Sequence, residues 1–171
     1  FVTWSENNVL TASHAVQNTG SGVMVQNGAK HTIISNSDVR GNAEEGINIR
    51  GDATYGHNSH ISVVGCHING NGRRGIRIAG ASYNYIAMNR LIDNSQEANN
   101  GYDDIQLTSN DTVAAPFNDV LFNTCHSTAT NRVRYNIREE PAGGGDNNYF
   151  FGNRSSGCVN GTPQSVNGTD T

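Results

Sequence analysis

Apolar residues in this chain recur at a spacing of two, in short bursts. "GVMV" (22–25), "GINI" (46–49), "GIRI" (75–78), "DDIQL" (103–107) and "RYNI" (134–137) each hold two apolar residues separated by one other. A spacing of two belongs to a strand, whose side chains alternate between faces. Between the bursts a second pattern returns: "HTIISNSDVRGN", "HISVVGCHINGN", "NYIAMNRLIDNS" and "NDVLFNTCHSTA". Each holds an apolar pair, a short polar turn, and Asn or Ser at a corner. No helical stretch of the length that βαβ units require separates these segments. Strands that short cannot bury their aliphatic faces alone, so coils must stack, ~4.8 Å apart, into a solenoid of about six coils.

The alternation assigns an inward ladder of Val23/Val25, Ile47/Ile49, Ile76/Ile78, Ile105/Leu107 and Tyr135/Ile137. Composition fits: the chain has 25 Asn and 20 Gly, and only 15% charged residues against ~25% in ordinary domains. Asn tolerates the left-handed backbone of a sharp corner, and stacked amides can bond from coil to coil. One such column is expected at Asn18, Asn42, Asn71 and Asn94, and a second at Asn36, Asn89 and Asn123. A net charge of −4 gives no footprint for nucleic acid, and no apolar run is long enough for a membrane span. Cys66, Cys125 and Cys158 lack CxxC spacing and are expected as free thiols, with Cys125–Cys158 the one disulfide pair considered.

The pattern N-x-x-I-x-x-N…GI-x-I-x-G, running from about 7 to 157, resembles the right-handed parallel β-helix repeats of the pectate-lyase-like superfamily. "GIRIAGASYNYIAMNRLIDN" and "YNIREEPAGGGDNNYFFGN" are similar to the later coils of alginate (mannuronan) C5-epimerase modules. The resemblance implies an all-β fold, a single-stranded right-handed parallel β-helix over 1–157. Residues 158–171 lose the apolar pattern and are expected as a cap or disordered tail. The chain opens inside a repeat, as a piece of a longer helix would. It lacks the epimerases' "DPH" element, and its "YGHN", "GIRI" and "DD" stand in the wrong order for a galacturonan hydrolase.

On the outer side of the "GIRI" strands the alternation lines up Met24, Asn48, Arg77, Gln106 and Asn136, and beside them Gln26, Arg50, Ala79, Thr108 and Arg138. The position before these strands reads Gly22, Gly46, Gly75, Asp104 and Arg134. The expected face therefore carries Arg50, Arg77, Arg134 and Arg138 around Asp104, with Asn48 and Gln106 as polar contacts. Arginine forks grip carboxylates, which suits an acidic polysaccharide. In lyase or epimerase chemistry a cation neutralises the uronate, a base removes the C5 proton and a Tyr or His acts as acid. Tyr102, Asp104 and His57 are the candidates for those roles. No cofactor is expected, calcium at Asp103–Asp104 being the one cation considered. Arg73 and Arg74 are expected to be solvated or paired with Glu44 and Glu45 of the coil below. Two functions follow: a secreted or cell-surface, carbohydrate-active β-helix, or a non-catalytic scaffold such as an adhesin or tailspike module.

Overall fold

The computed structural model describes residues 1–128, 133–140 and 147–159 and the strand Gln164–Ser165, and among these it contains no helix. The chain forms a right-handed parallel β-helix. Its first sheet stacks, in chain order, Val2–Thr3, Val23–Gln26, Ile47–Arg50, Ile76–Ala79, Ile105–Thr108, Ile137–Glu139 and Gln164–Ser165. The second stacks Val9–Thr11, Ile33–Ser35, Ser62–Val64, Tyr85–Ala87, Asp119–Leu121 and Tyr149–Phe151. The third stacks His14–Val16, Asp38–Arg40, His67–Asn69, Arg90–Ile92, Thr124–His126 and Arg154–Ser156. The expected tail lies mostly outside the described residues, but Gln164–Ser165 pairs with Ile137–Arg138 and so extends the first sheet.

The core is one aliphatic column per strand position. Val23, Ile47, Ile76, Ile105 and Ile137 stack with no exposure, beside Ile34, Val63, Ile86 and Val120 of the second sheet and Val39, Ile68 and Leu91 of the third. The last coil departs from the expected register: Ile105 pairs with Ile137, and Leu107 with Glu139. Tyr135 is therefore not an inward residue, and the buried Glu139 takes that place, accepting a bond from Asn148 Nδ2 at 2.6 Å. Cys66, Cys125 and Cys158 are free thiols, the first two buried and the third half-buried. Burial pushes the Cys66 thiol up, and the Cys125 thiol further.

Asparagine does its work one residue after the corner, not at it. Asn18 Nδ2 donates to Asn42 Oδ1 at 2.7 Å, Asn42 to Asn71 at 2.8 Å and Asn71 to Asn94 at 2.9 Å. Each receiving oxygen also accepts the backbone N–H of the Asn before it. Asn89, Asn123 and Asn153 repeat this on a second corner, and Asn84, Asn118 and Asn148 on a third. Left-handed φ falls on the preceding residue: Gln17, Gly41, Gly70 and Asp93 before the first ladder, and Ala12, Asn36, Gly65, Met88, Phe122 and Gly152 before the second. Asn36 is thus a left-handed residue rather than a ladder member. The amides are there to satisfy backbone donors that each corner would otherwise bury unpaired.

The ladder also explains the glycine of "GI". A Cβ at Gly22 would meet Asn42 Nδ2 at 2.6 Å, and one at Gly46 would meet Asn71 Nδ2 at 2.8 Å. At Gly75 it would meet Leu91 Cδ2 at 2.6 Å, Asp104 O at 2.8 Å and Asn94 Nδ2 at 2.9 Å. Gly75→Ala should lose ~2 kcal/mol or more by overpacking, read as a lower urea midpoint with an unchanged slope. A variant as stable as wild type would contradict this account of the motif.

Candidate functional site

The outer face of the first sheet carries an unusual density of polar side chains for a face so thoroughly covered. In register, Met24, Asn48, Arg77, Gln106 and Arg138 follow one another on successive coils. The expected column ended at Asn136; the register of the last coil puts Arg138 there instead. Arg50 lies one step along, paired with Gln26 and Ala79. Asn48 and Gln106 are outward by alternation yet almost fully buried, because longer side chains lie over them. Glu140 is one of these: it accepts from Gln106 Nε2 and from Thr108 Oγ1, both at 2.7 Å, and pairs with Arg138 at 3.2 Å.

Carboxylates neutralise the rim of this face. Glu45, almost fully buried, pairs with Arg74 at 3.0 Å. Asp103, fully buried, takes a two-pronged grip from Arg134, Nε at 2.8 Å and Nη2 at 2.7 Å, with Arg138 at 4.0 Å. The expected pairing of the "RR" corner holds for both residues: Arg73 spans Glu44 at 3.3 Å and Glu97 at 2.9 Å.

Arg77 differs from all of these. It forms no ion pair among the described residues, and its Nε, like that of Arg74, is buried without a hydrogen-bond partner. Asn48 Oδ1 and Gln106 Oε1, on the coils to either side, share that condition. Burial lowers the Arg77 pKa from its ordinary value, and Arg74 and Arg50 press the same way against Glu45 and Glu140. The guanidinium remains charged at neutral pH, so the face holds a half-buried cation short of anionic partners. Arg50, exposed, also lacks an ion pair among the described residues. Together they leave two cationic side chains on this face without a carboxylate partner among the described residues.

The three residues considered for acid–base work are not brought together. Asp104 is sealed in the first corner: Oδ1 accepts from Asn94 Nδ2 at 2.8 Å and Oδ2 from Asn136 Nδ2 at 3.0 Å. It stands where the three preceding coils place glycine, and the chain is still rounding the corner there, so alternation does not carry its side chain to the outer face. The arginines gather around Asp103 and Glu140 instead. Burial raises Asp104 from 3.8 to about 7, against the two amide bonds that lower it. Tyr102 lies before the strand Ile105–Thr108, its ring under Arg74 at 5.0 Å and its hydroxyl 3.4 Å from Glu97. His57 lies after the strand Ile47–Arg50, in an open groove of ≈ 480 Å³ with Lys30, Tyr55, His60 and Tyr83. The length of a four-residue strand, ~13 Å, separates those two ends of the sheet. Asp103 and Asp104 are each engaged by different partners, and among the described residues no group of three His, Cys, Asp or Glu could hold a metal ion.

Sequence reasoning missed Glu45, Arg74 and Glu140 as members of this face. The "EE" that follows the "YNIR" strand was the available signal for Glu140.

The family model described as "Periplasmic copper-binding protein (NosD)" matches residues 1–150. Among solved structures, the Azotobacter vinelandii mannuronan C-5 epimerase AlgE4 A-module is 26% identical with a TM-score of 0.82, covering 98% of this chain and 45% of that one. The AlgE6 A-module of the same organism is 23% identical with a TM-score of 0.70, covering 96% and 47%. The Dettilon tailspike protein is 20% identical with a TM-score of 0.69, covering 88% and 29%. This chain therefore spans less than half the length of the epimerase modules it matches. No curated protein matches it in sequence.

Proposed function

Because this chain belongs to the NosD family, a family of β-helix proteins, we propose that it uses its helix to bind an acidic polysaccharide along the outer face of the first sheet. The observation that carries this reading is Arg77, a half-buried guanidinium on the outer face with no ion pair among the described residues. A uronate carboxylate can pair with the solvent-facing part of this guanidinium. Arg50 lies on the adjacent coil and Arg138 two coils away on the other side, beyond Gln106, and they extend the cationic track along the helix axis. The likeness to polysaccharide epimerase modules supports the choice of ligand class, and the periplasmic description of the family supports a location outside the cytoplasm.

Binding has more support than turnover by this chain's own residues. Asp104 is enclosed and Tyr102 and His57 lie at opposite ends of the strands, so no described base and acid flank Arg77. Among the described residues, no group of three His, Cys, Asp or Glu offers a donor set for the copper of the family's description. Cys66 and Cys125 are buried thiols held protonated, His31 and His60 stack on each other at 5.0 Å, and His67 faces Asp38 at 3.8 Å.

The reading is tested by titrating the chain with alginate, pectate and a neutral glucan, while absorbance reports unsaturated ends and NMR reports C5 inversion. Binding to the uronates but not to the glucan, with neither product signal, is the expected result. Absence of binding to every uronate would overturn the reading.

A further inference from the structure

The three sheets present very different outer faces. Beside the cationic first sheet, the third exposes Asp38, Arg40, His67, Arg90 and Arg154. The second is apolar. Val9, Ile33, Tyr85, Tyr149 and Phe151 project from it, between 38% and 62% exposed, and its twelve outward positions include one charge, Asp119. Tyr83, Met88, Phe117 and Phe122 border it from the adjoining corners and are equally exposed.

We infer that this face is a self-association surface, on which a second copy of the same chain packs sheet against sheet. Its size points that way. Six aromatic side chains of roughly 200 Å², each about half exposed, present on the order of 600 Å². The aliphatic members bring the total near the ~800 Å² per partner of a stable interface, beyond the few hundred Å² that monomers commonly leave bare. The ring geometry argues against a sugar platform, which needs open ring faces. Tyr149 stacks on Phe151 at 6.3 Å with 5° between planes, and Tyr83 on Phe117 at 5.1 Å with 7°. Each pair covers one face of each ring, and Tyr83 is also stacked on His60 at 5.5 Å, so these rings join Val9, Ile33 and Met88 in a closely set apolar surface. A two-fold axis lying parallel to the sheet, in the plane of the interface, brings that surface against its own copy ~10 Å away, burying both with one charge each to accommodate.

Sedimentation velocity across a concentration series tests this. The 18.3-kDa chain should sediment at twice its mass at micromolar concentration. Phe151→Glu and Ile33→Glu, both at exposed positions, should each weaken association ~100-fold with an unchanged far-UV spectrum. Arg90→Glu, at an exposed position on the outer side of the third sheet, should leave the dimer intact. A monomer for wild type at every concentration up to ~100 µM would overturn the proposal. So would a dimer indifferent to both substitutions, or a monomer that an insoluble neutral polysaccharide retains through this face. None of these outcomes bears on the cationic face of the first sheet, whose uronate titration stands separately.

Discussion

Asp104→Asn should stabilise the protein above pH 7 and abolish a pH dependence that the wild type shows below it. The folded Asp104 titrates near 7 and the unfolded one near 3.8. Between those values the folded chain holds a proton that the unfolded chain has released. The contribution is therefore present in full below about pH 4, is lost as pH rises towards 7, and stays lost above. The span converts to about 4 kcal/mol at most, a large part of the ~5–15 kcal/mol that holds a domain together. The carboxyl is fully buried, so solvent does not screen the effect. An amide accepts from Asn94 equally well and carries no charge to desolvate, and its new Nδ2 donates to Asn136 Oδ1 once the Asn136 amide, whose Nδ2 now donates to Asp104 Oδ2, turns over. Urea unfolding from pH 4 to 9 should give a falling curve for wild type and a flatter one for the variant. Parallel curves would show that Asp104 ionises as freely in the folded state as in the unfolded one.

Asn71→Ala should destabilise by about 3–5 kcal/mol. The Asn71 side chain accepts from Asn42 N at 3.1 Å and Asn42 Nδ2 at 2.8 Å, and donates to Asn94 Oδ1 at 2.9 Å and Val39 O at 3.2 Å. All of it is buried, so truncation strands several polar groups at once, each costing ~1–3 kcal/mol with partial relaxation. Asn99→Ala, at an exposed loop position, should leave the urea midpoint within ~0.5 kcal/mol of wild type. Equal effects at the two positions would mean that the ladder does not carry the corner.

The fold was legible because its two determinants are periodic. Aliphatic residues two apart and amides one coil apart recur wherever coils stack, and both survive insertions between them. The site was less legible because it depends on register, which one irregular coil can move. The segment between Leu107 and Ile137 exceeds the repeat, so counting placed Tyr135 inward and Arg134 on the face. In the structure Ile137 takes the inward place and Arg134 turns to Asp103. Asp104 misled for a different reason. Alternation holds along a strand, but this residue sits on the corner leading into one, where it completes an amide ladder. Arg77 was found because it breaks its column: Asn48 precedes it and Gln106 follows.

The same residue decides the account. Calorimetric titration of wild type and Arg77→Ala with an alginate oligosaccharide, in ~50 and ~200 mM salt, is the most direct measurement. Wild type should bind, more weakly at the higher salt, and Arg77→Ala should lose at least ~10-fold in affinity while unfolding at the same urea concentration. Equal affinity in the two proteins, or binding indifferent to both salt and the substitution, would contradict a carboxylate seated on Arg77.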